Sequence, residues 1–180
     1  MQKGKLNPQS RGELESLIEE ARDGNTDAFR EIFNQFSDRL YGYCISRTSG
    51  KEDAMDIVQE TFVDLWSALD RFQYRSDEAF AGFIFKIAKR KLAKHYEDSK
   101  KTVSIEDVQI TEFYEMEPRD YRYVMSKVGE LPEKHQELLR LRYWGGMTFR
   151  EIASVLNINE GTAKVWHHRV IQRLNKNIEE

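Results

Sequence analysis

Apolar residues recur every three or four positions through most of this 180-residue chain, and no segment shows the period-two alternation of a half-buried strand. This periodicity predicts an all-helical protein. In the first half it indicates four helices that would pack as one bundle, with Thr26 as the cap of the second. The predicted helices cover residues 14–22, 26–45, 52–69 and 78–96.

The second half of the chain has its own helical pattern. Residues 99–118 lack a sustained apolar period and are rich in carboxylates, which predicts an acidic linker. A second module begins near Asp120, and its next helix starts at Leu131-Pro132, with proline in the tolerated first turn, and ends at Gly145-Gly146. The fold class predicted from the sequence is therefore all-α, with two helical domains joined by a linker.

Residues 148–175 have the pattern of a helix-turn-helix. Thr148 and Glu151 have the spacing of a capping box that opens a helix. Phe149, Ile152 and Leu156 follow at the spacing of one buried face, and 157–159 break the helix. A second helix is predicted from Glu160 to Asn175.

The two faces of that last helix differ in chemistry. Ala163, His167, Val170 and Leu174 fall on one side at about 100° per residue, which suits docking on the preceding helix. Cationic and hydrogen-bonding groups dominate the opposite side, as a helix that enters the major groove requires. That side contains Lys164, Val165, His168, Arg169 and Gln172.

The distribution of charge is more informative than the net charge of -3. Basic residues outnumber acidic ones nine to four over 71–101 and ten to seven over 121–180, whereas acidic residues predominate over 13–70 and 102–120. Two basic blocks separated by an acidic connector suit a protein that contacts DNA twice while another surface faces a different partner.

Composition narrows the class of protein further. With 33% charged and 39% hydrophobic residues the chain is typical of a soluble globular protein. No apolar run approaches the length of a membrane span, and no signal-peptide core follows residues 1–5. Cys44 is the single cysteine, so an intrachain disulfide is excluded. These observations lead us to expect a cytoplasmic protein.

Three motifs in order resemble the extracytoplasmic function (ECF) sigma factors of bacterial RNA polymerase, the minimal kind with only regions two and four. They are residues 53–62 (DAMDIVQETF), residues 83–90 (FIFKIAKR) and the segment from Leu131-Pro132 through 161–164 (GTAK). The resemblance implies a transcription initiation factor that is not an enzyme and needs no cofactor. It implies a region 2 bundle over 1–98, an acidic linker over 99–118 and a region 4 helix-turn-helix over 119–180.

In this family the first motif binds the clamp of core RNA polymerase, which implies a polymerase-binding stripe at Asp56, Gln59, Glu60 and Val63. On a helical wheel these residues lie opposite the inward positions of the same helix. Carboxylates and an amide beside one apolar residue form a plausible protein-binding face, although ordinary exposed helix residues would give the same pattern.

The loop over 71–76 and the following helix resemble the part that recognises and melts the minus-ten element. Aromatic rings can stack on an unpaired base, and cations can neutralise its phosphates. The phenylalanines of the helix itself are expected in the core, and Glu97-Asp98 depart from the arginines usual in the family. The implied contacts are Arg71, Phe72, Tyr74, Lys86, Lys89 and Arg90.

The exposed face of the last helix resembles the reader of the minus-thirty-five element. Trp166 and His167 depart from the family pattern, and their wheel angles favour packing over base contact. Neighbouring histidines on a helix point about 100° apart, so we assign no metal to His167-His168. The implied contacts are Lys164, Val165, His168, Arg169 and Arg173.

The resemblance also implies the partners: core RNA polymerase, promoter DNA and an anti-sigma factor. Three alternatives have to be considered beside it. A DNA-binding regulator with a ligand-sensing or dimerising N-terminal half is argued against by the clamp-type motif. An enzyme lacks support, because the four histidines have no carboxylate or cysteine constellation at ligand spacing. A polymerase-blocking protein is disfavoured by the two basic blocks.

Overall fold

The computed structural model describes residues 12–100 and 118–179, and these contain eight α-helices and no strand. We call α1–α4 the N-terminal bundle and α5–α8 the C-terminal bundle. The helices are α1 Glu13–Arg22, α2 Thr26–Ile45, α3 Lys51–Ala68, α4 Asp77–Lys100, α5 Pro118–Gly129, α6 Glu133–Leu139, α7 Phe149–Leu156 and α8 Glu160–Glu179.

The N-terminal bundle buries the apolar faces of its helices around one core, as the periodicity predicts. The cap of α2 differs from the prediction: Asn25 is the N-cap, its Oδ1 accepting from the backbone of Asp27 and Ala28, and Thr26 is the first helical residue. Phe33, which shares the apolar stripe of α2 in the sequence, is nevertheless 38% exposed. It lies at the edge of the α2 stripe, where its ring packs against Phe62 of α3.

Helix α4 runs to Lys100, four residues beyond the predicted end. The acidic linker predicted over 99–118 therefore overlaps helix at both ends, and the rest of it lies outside the described residues. Among the described helices, none has both the length and the apolar character needed to cross a bilayer.

Capping residues define the helix-turn-helix as predicted. The Thr148 side chain accepts from the Glu151 backbone while the Glu151 carboxylate accepts from the Thr148 backbone, which is the complete capping box. Asn157 ends α7 in the left-handed region at φ 53°, and Asn159 Oδ1 accepts from Thr162 at 2.7 Å to start α8. One boundary differs: Pro132 is the N-cap of α6 rather than a residue of its first turn.

The two bundles pack against each other. Helix α4 lies against α7, and α2 lies against a π-helical turn over Arg140–Trp144, which follows α6 and which we call the π-turn. Helix α4 carries residues expected to contact minus-ten DNA, and α7 is the first helix of the helix-turn-helix. Their packing therefore determines which surfaces of the two helices remain exposed.

Candidate functional site

The outer face of α8 is open to solvent. All five residues expected to contact the minus-thirty-five element are exposed, and Val165 is 47% exposed. Lys164 forms an ion pair with Glu160 at 2.7 Å, and Arg150 reaches the same carboxylate at 3.2 Å. Hydrogen bonds from Lys164 and Arg150 lower the pKa of Glu160. The face thus presents cations and one aliphatic side chain together.

The opposite face of α8 fixes the helix on the bundle. Ala163, Val170 and Leu174 are buried, as expected. Trp166 packs edge-on to His135, with ring centroids 5.6 Å apart. His167 Nε2 lies 2.9 Å from the Tyr143 hydroxyl. Both departures from the family pattern are therefore packing residues.

On α3, the predicted polymerase-binding stripe lies on the surface. Asp56, Gln59 and Glu60 are exposed, and Val63 is 66% exposed. Val63 also lines an open apolar groove of about 370 Å³, which sequence reasoning did not predict. The groove is lined by Thr26, Phe29, Phe62, Val63, Trp66 and Ser67.

The signal for this groove was Trp66, an aromatic residue on the polar side of the α3 wheel, where it is 39% exposed. Its ring packs edge-on to Phe29 of α2 at 4.7 Å. Lys91 of α4 forms ion pairs with two carboxylates of α3, Glu60 at 3.3 Å and Asp64 at 2.9 Å. An apolar depression beside carboxylates suits a partner that offers an apolar side chain among basic residues.

The loop before α4 places its two aromatic rings partly in the core. The Phe72 ring stacks on Phe83 with centroids 4.8 Å apart, and both rings are half-buried. The Tyr74 hydroxyl donates to Asp77 Oδ1 at 2.5 Å, and burial together with that bond raises the pKa of Tyr74. Arg71 is exposed beside them. One face of the Phe72 ring is thus covered by protein.

The α4 cations fall into two groups. Arg90 is exposed. Lys86 Nζ donates to Asn157 Oδ1 at 2.9 Å, and Lys89 Nζ lies 3.6 Å from Glu137 Oε1. Asn157 and Glu137 belong to the C-terminal bundle, so two of the three α4 cations expected to contact minus-ten DNA contact that bundle in this conformation.

The described residues thus form two helical bundles, the second of which ends in a helix-turn-helix, the architecture of a class of DNA-binding proteins. Residues 32–102 match the family model for sigma-70 region 2, and residues 121–174 match that for sigma-70 region 4. The chain belongs to the ECF RNA polymerase sigma factors.

Characterised relatives agree with that assignment. The chain is 29% identical to the ECF RNA polymerase sigma factor BldN of Streptomyces coelicolor over 88% of its length, a match that spans 63% of BldN. It is 24% identical to the ECF RNA polymerase sigma factor SigW of Bacillus subtilis, over 92% of this chain and 96% of SigW.

Solved structures share the fold. CnrH, in complex with the cytosolic domain of CnrY, is 24% identical with a TM-score of 0.67, over 91% of this chain and 95% of CnrH. The sigma factor RpoE, in complex with the anti-sigma factor NepR from Bartonella quintana, is 21% identical with a TM-score of 0.63, over 84% and 96% of the two chains.

Proposed function

We propose that this chain binds core RNA polymerase and directs it to specific promoters as a transcription initiation factor. The observation that carries the proposal is the occurrence of region 2 and region 4, in that order, on one chain whose α8 face is cationic and open. The chain supplies promoter choice, and the polymerase supplies the chemistry.

Each part of the chain has its own task in this proposal. Residues 1–98 bind the polymerase and open the minus-ten element, residues 99–118 form the acidic linker, and residues 119–180 bind the minus-thirty-five element. The linker carries carboxylates that could replace phosphates against the basic walls of a nucleic-acid channel.

Duplex recognition is assigned to α8. Arg169 and Lys164 have donors for guanine edges or phosphates, and Val165 offers an apolar contact for a thymine methyl group. Arg173 lies one turn beyond Arg169, where a phosphate contact is expected. The buried face of α8 holds this orientation, because Ala163 and Val170 lie in the core.

Polymerase docking is assigned to α3. The exposed Asp56, Gln59 and Glu60 supply charge and hydrogen bonding, and Val63 connects them to the apolar groove. A small apolar centre surrounded by polar residues is the usual anatomy of a protein interface. We propose that the groove takes an apolar side chain of a basic helical segment of the polymerase.

Opening of the minus-ten element is assigned to the loop and α4. A base stacked on an aromatic side chain gains about 1–3 kcal/mol, which offsets part of the cost of unpairing it. Tyr74 and the half-buried Phe72 are the proposed platforms, and Arg71, Lys86, Lys89 and Arg90 are the proposed phosphate contacts.

An anti-sigma factor is the proposed regulatory partner, because RpoE is known in complex with the anti-sigma factor NepR. The proposed location is the cytoplasm, where the polymerase acts. No catalytic step is assigned to the chain.

Run-off transcription tests the proposal. Core RNA polymerase, with and without the full chain, is given a promoter library, and the transcripts are sequenced. Specific start sites that depend on the chain are the expected result. Binding of the same library without any gain in polymerase affinity or start-site choice would instead identify a DNA-binding regulator.

A further inference from the structure

The contact between the two bundles covers a stripe of α4. Gly82, Phe85, Lys86 and Lys89 recur along one face of this helix and meet the C-terminal bundle. We propose that the free chain is self-inhibited, because its C-terminal bundle occupies the α4 face assigned to minus-ten DNA, with the Glu137 carboxylate in the place of a backbone phosphate. This inference rests on the proposed function of α4.

Glu137 places a buried charge in the contact. It is only 2% exposed, yet it lies on α6 with its charged partners in the other bundle. The Tyr43 hydroxyl donates to its Oε1 at 2.6 Å, Arg47 forms an ion pair with Oε2, and Lys89 is 3.6 Å away. A buried carboxylate is tolerated only when it is paired in this way.

The electrostatics of these groups support the pairing. Burial is the largest single influence on Arg47 and lowers its pKa, but Glu137 together with Tyr43 and Tyr96 outweighs it, and the pKa is raised. Burial and the same carboxylate raise the pKa of Tyr43 well above its ordinary value. Two cations and a hydroxyl converging on an anion form the donor set that proteins also offer to a DNA phosphate.

A second ion pair fixes the orientation of the C-terminal bundle. Arg39 of α2 donates to Glu151 Oε1 at 2.8 Å and, through Nε, to the carbonyl oxygen of Gly145 at 3.2 Å. Its guanidinium lies 5.5 Å from the Phe36 ring centroid and 5.8 Å from that of Phe85. Arg39 therefore joins the core of one bundle to the helix-turn-helix of the other.

Two glycines allow the backbones to approach. A methyl group added to Gly42 would overlap the Trp144 carbonyl oxygen and lie 3.3 Å from its carbon. One added to Gly82 would overlap the Ser154 hydroxyl and lie 2.8 Å from its Cβ. Both glycines are inside helices, where glycine is unfavourable, so close packing gives each a physical reason.

While its two bundles are packed together, an arrangement we call the closed form, the chain cannot bind both promoter elements at once. Minus-ten and minus-thirty-five elements about 25 base pairs apart are about 85 Å apart at 3.4 Å per step. A compact chain of 180 residues has a radius of gyration of ~16 Å, which corresponds to a diameter of about 40 Å. The bundles must separate before both can bind, and separation frees Lys86 and Lys89.

Closure can be measured by small-angle X-ray scattering of the full chain. Gly42→Ala and Glu137→Gln should each increase the radius of gyration. The first variant forces apart two backbones, and the second leaves Arg47 buried without its counter-ion in the closed form only. Gly129→Ala, where a methyl group meets nothing within 4 Å, and Glu133→Gln, an exposed carboxylate on the same helix as Glu137, are the matched controls.

Affinity for single-stranded DNA is measured by fluorescence anisotropy. The probe is a labelled DNA strand of random sequence and about 20 nucleotides, longer than the site sizes typical of single-strand-binding folds. Gly42→Ala leaves the charge unchanged and should bind at least about fivefold more tightly than wild type, because apparent affinity follows the competent fraction. Adding Lys86→Gln and Lys89→Gln should remove that gain.

Three outcomes distinguish the possibilities. An unchanged radius of gyration in both variants would overturn the proposal. An increased radius with unchanged affinity for the single strand would also overturn it, since the covered face would then not be a DNA site. A pull-down with core polymerase tests the proposed function separately, because wild type and opened variants that all fail to bind would reject that function whatever the scattering shows.

Discussion

Single side chains in this structure connect features that are far apart in the sequence. Glu151 uses Oε2 to accept from the Thr148 backbone at 2.7 Å and Oε1 to accept from Arg39 at 2.8 Å. The first contact caps α7, and the second joins the two bundles. A change at Thr148 should therefore affect the helix while leaving the Arg39 pair available.

Thr148→Ala should destabilise the C-terminal bundle by about 1 kcal/mol, the usual cost of losing a capping hydroxyl. The free energy of unfolding is measured by urea titration followed by circular dichroism. Ser126→Ala is the control, since Ser126 is exposed and its hydroxyl donates to the Tyr123 carbonyl oxygen within α5. Equal stability of the two variants would show that the cap does not contribute.

Arg169 is the residue on which we base promoter discrimination. Arg169→Ala should weaken binding to a minus-thirty-five duplex and, if the guanidinium contacts a base edge, relax preference at one position by about 1–3 kcal/mol. Competition binding with a library mutated at each position measures both effects. A uniform loss across all sequences would make Arg169 a phosphate contact instead.

The sequence was sufficient for the capping box, because its residues are three positions apart. The ion pair between Glu151 and Arg39 was not predictable, because its partners are 112 positions apart and no local pattern relates them. The same reason applies to Glu137, which on the helical pattern alone resembles any other charged residue of α6.

At the scale of elements, periodicity predicted which helices form, and capping chemistry predicted where the helix-turn-helix begins and ends. The capping prediction failed where two neighbouring residues could serve the same purpose. Asn25 and Thr26 are both good caps, and in the structure the Asn25 side chain caps α2. The stripe on α3 was predicted on the surface, but the adjoining groove needed Phe29 of another helix, which no single-helix wheel contains.

The α3 face provides a prediction of its own. Glu60→Lys combined with Gln59→Ala should weaken core polymerase binding by at least about tenfold, as loss of interface hot spots does. The bundle should stay folded, because Lys91 retains Asp64 at 2.9 Å. Binding is measured by pull-down and folding by circular dichroism, with the exposed Glu19→Lys on α1 as the charge-matched control. Wild-type affinity in the double variant would reject this docking site.

Helix α8 and its neighbour α6 should make the C-terminal bundle sensitive to pH. Burial lowers the pKa of His167 and His135 below the ordinary 6.5, aided by nearby cations. Below that value the unfolded chain takes up protons that the folded chain resists, so stability is complete above pH 6.5 and falls as the pH falls further.

Urea titrations between pH 7.5 and 5.5 measure this effect. We expect the midpoint to decrease with pH, and His167→Phe, which keeps a ring beside Phe149, should reduce the slope. His168→Phe, at an exposed position of the same helix, should retain it. A slope that His167→Phe does not change would assign the pH dependence elsewhere.

At the scale of the whole molecule, the arrangement of the bundles was beyond the sequence. The family resemblance predicted two lobes and a linker, but it contained no information that Gly42 and Gly82 would meet the C-terminal bundle. A glycine inside a helix has several possible causes, and only the structure shows backbone atoms of another bundle within contact distance. The closed form therefore depends on long-range complementarity rather than on local pattern.

Closure also predicts how the molecule unfolds. The bundles share buried ion pairs, so wild type should unfold in one calorimetric transition, as cooperative units do. Gly42→Ala should give two transitions. The transition temperature of the N-terminal bundle should rise, since alanine in a helix interior is favoured over glycine by about 0.5–1 kcal/mol. The transition temperature of the C-terminal bundle should fall, because that bundle loses its contacts with the N-terminal bundle.

The control for this measurement is Gly129→Ala, whose methyl group is in open space, so the single transition should persist. A Gly42→Ala protein that unfolds in one transition at a higher temperature would contradict the prediction. In that case the π-turn can yield to the added methyl group, and the bundles stay joined through their other contacts, which include the ion pairs of Glu137 and Glu151. Combining Gly42→Ala with Glu137→Gln then decides whether the Glu137 ion pair couples the two bundles.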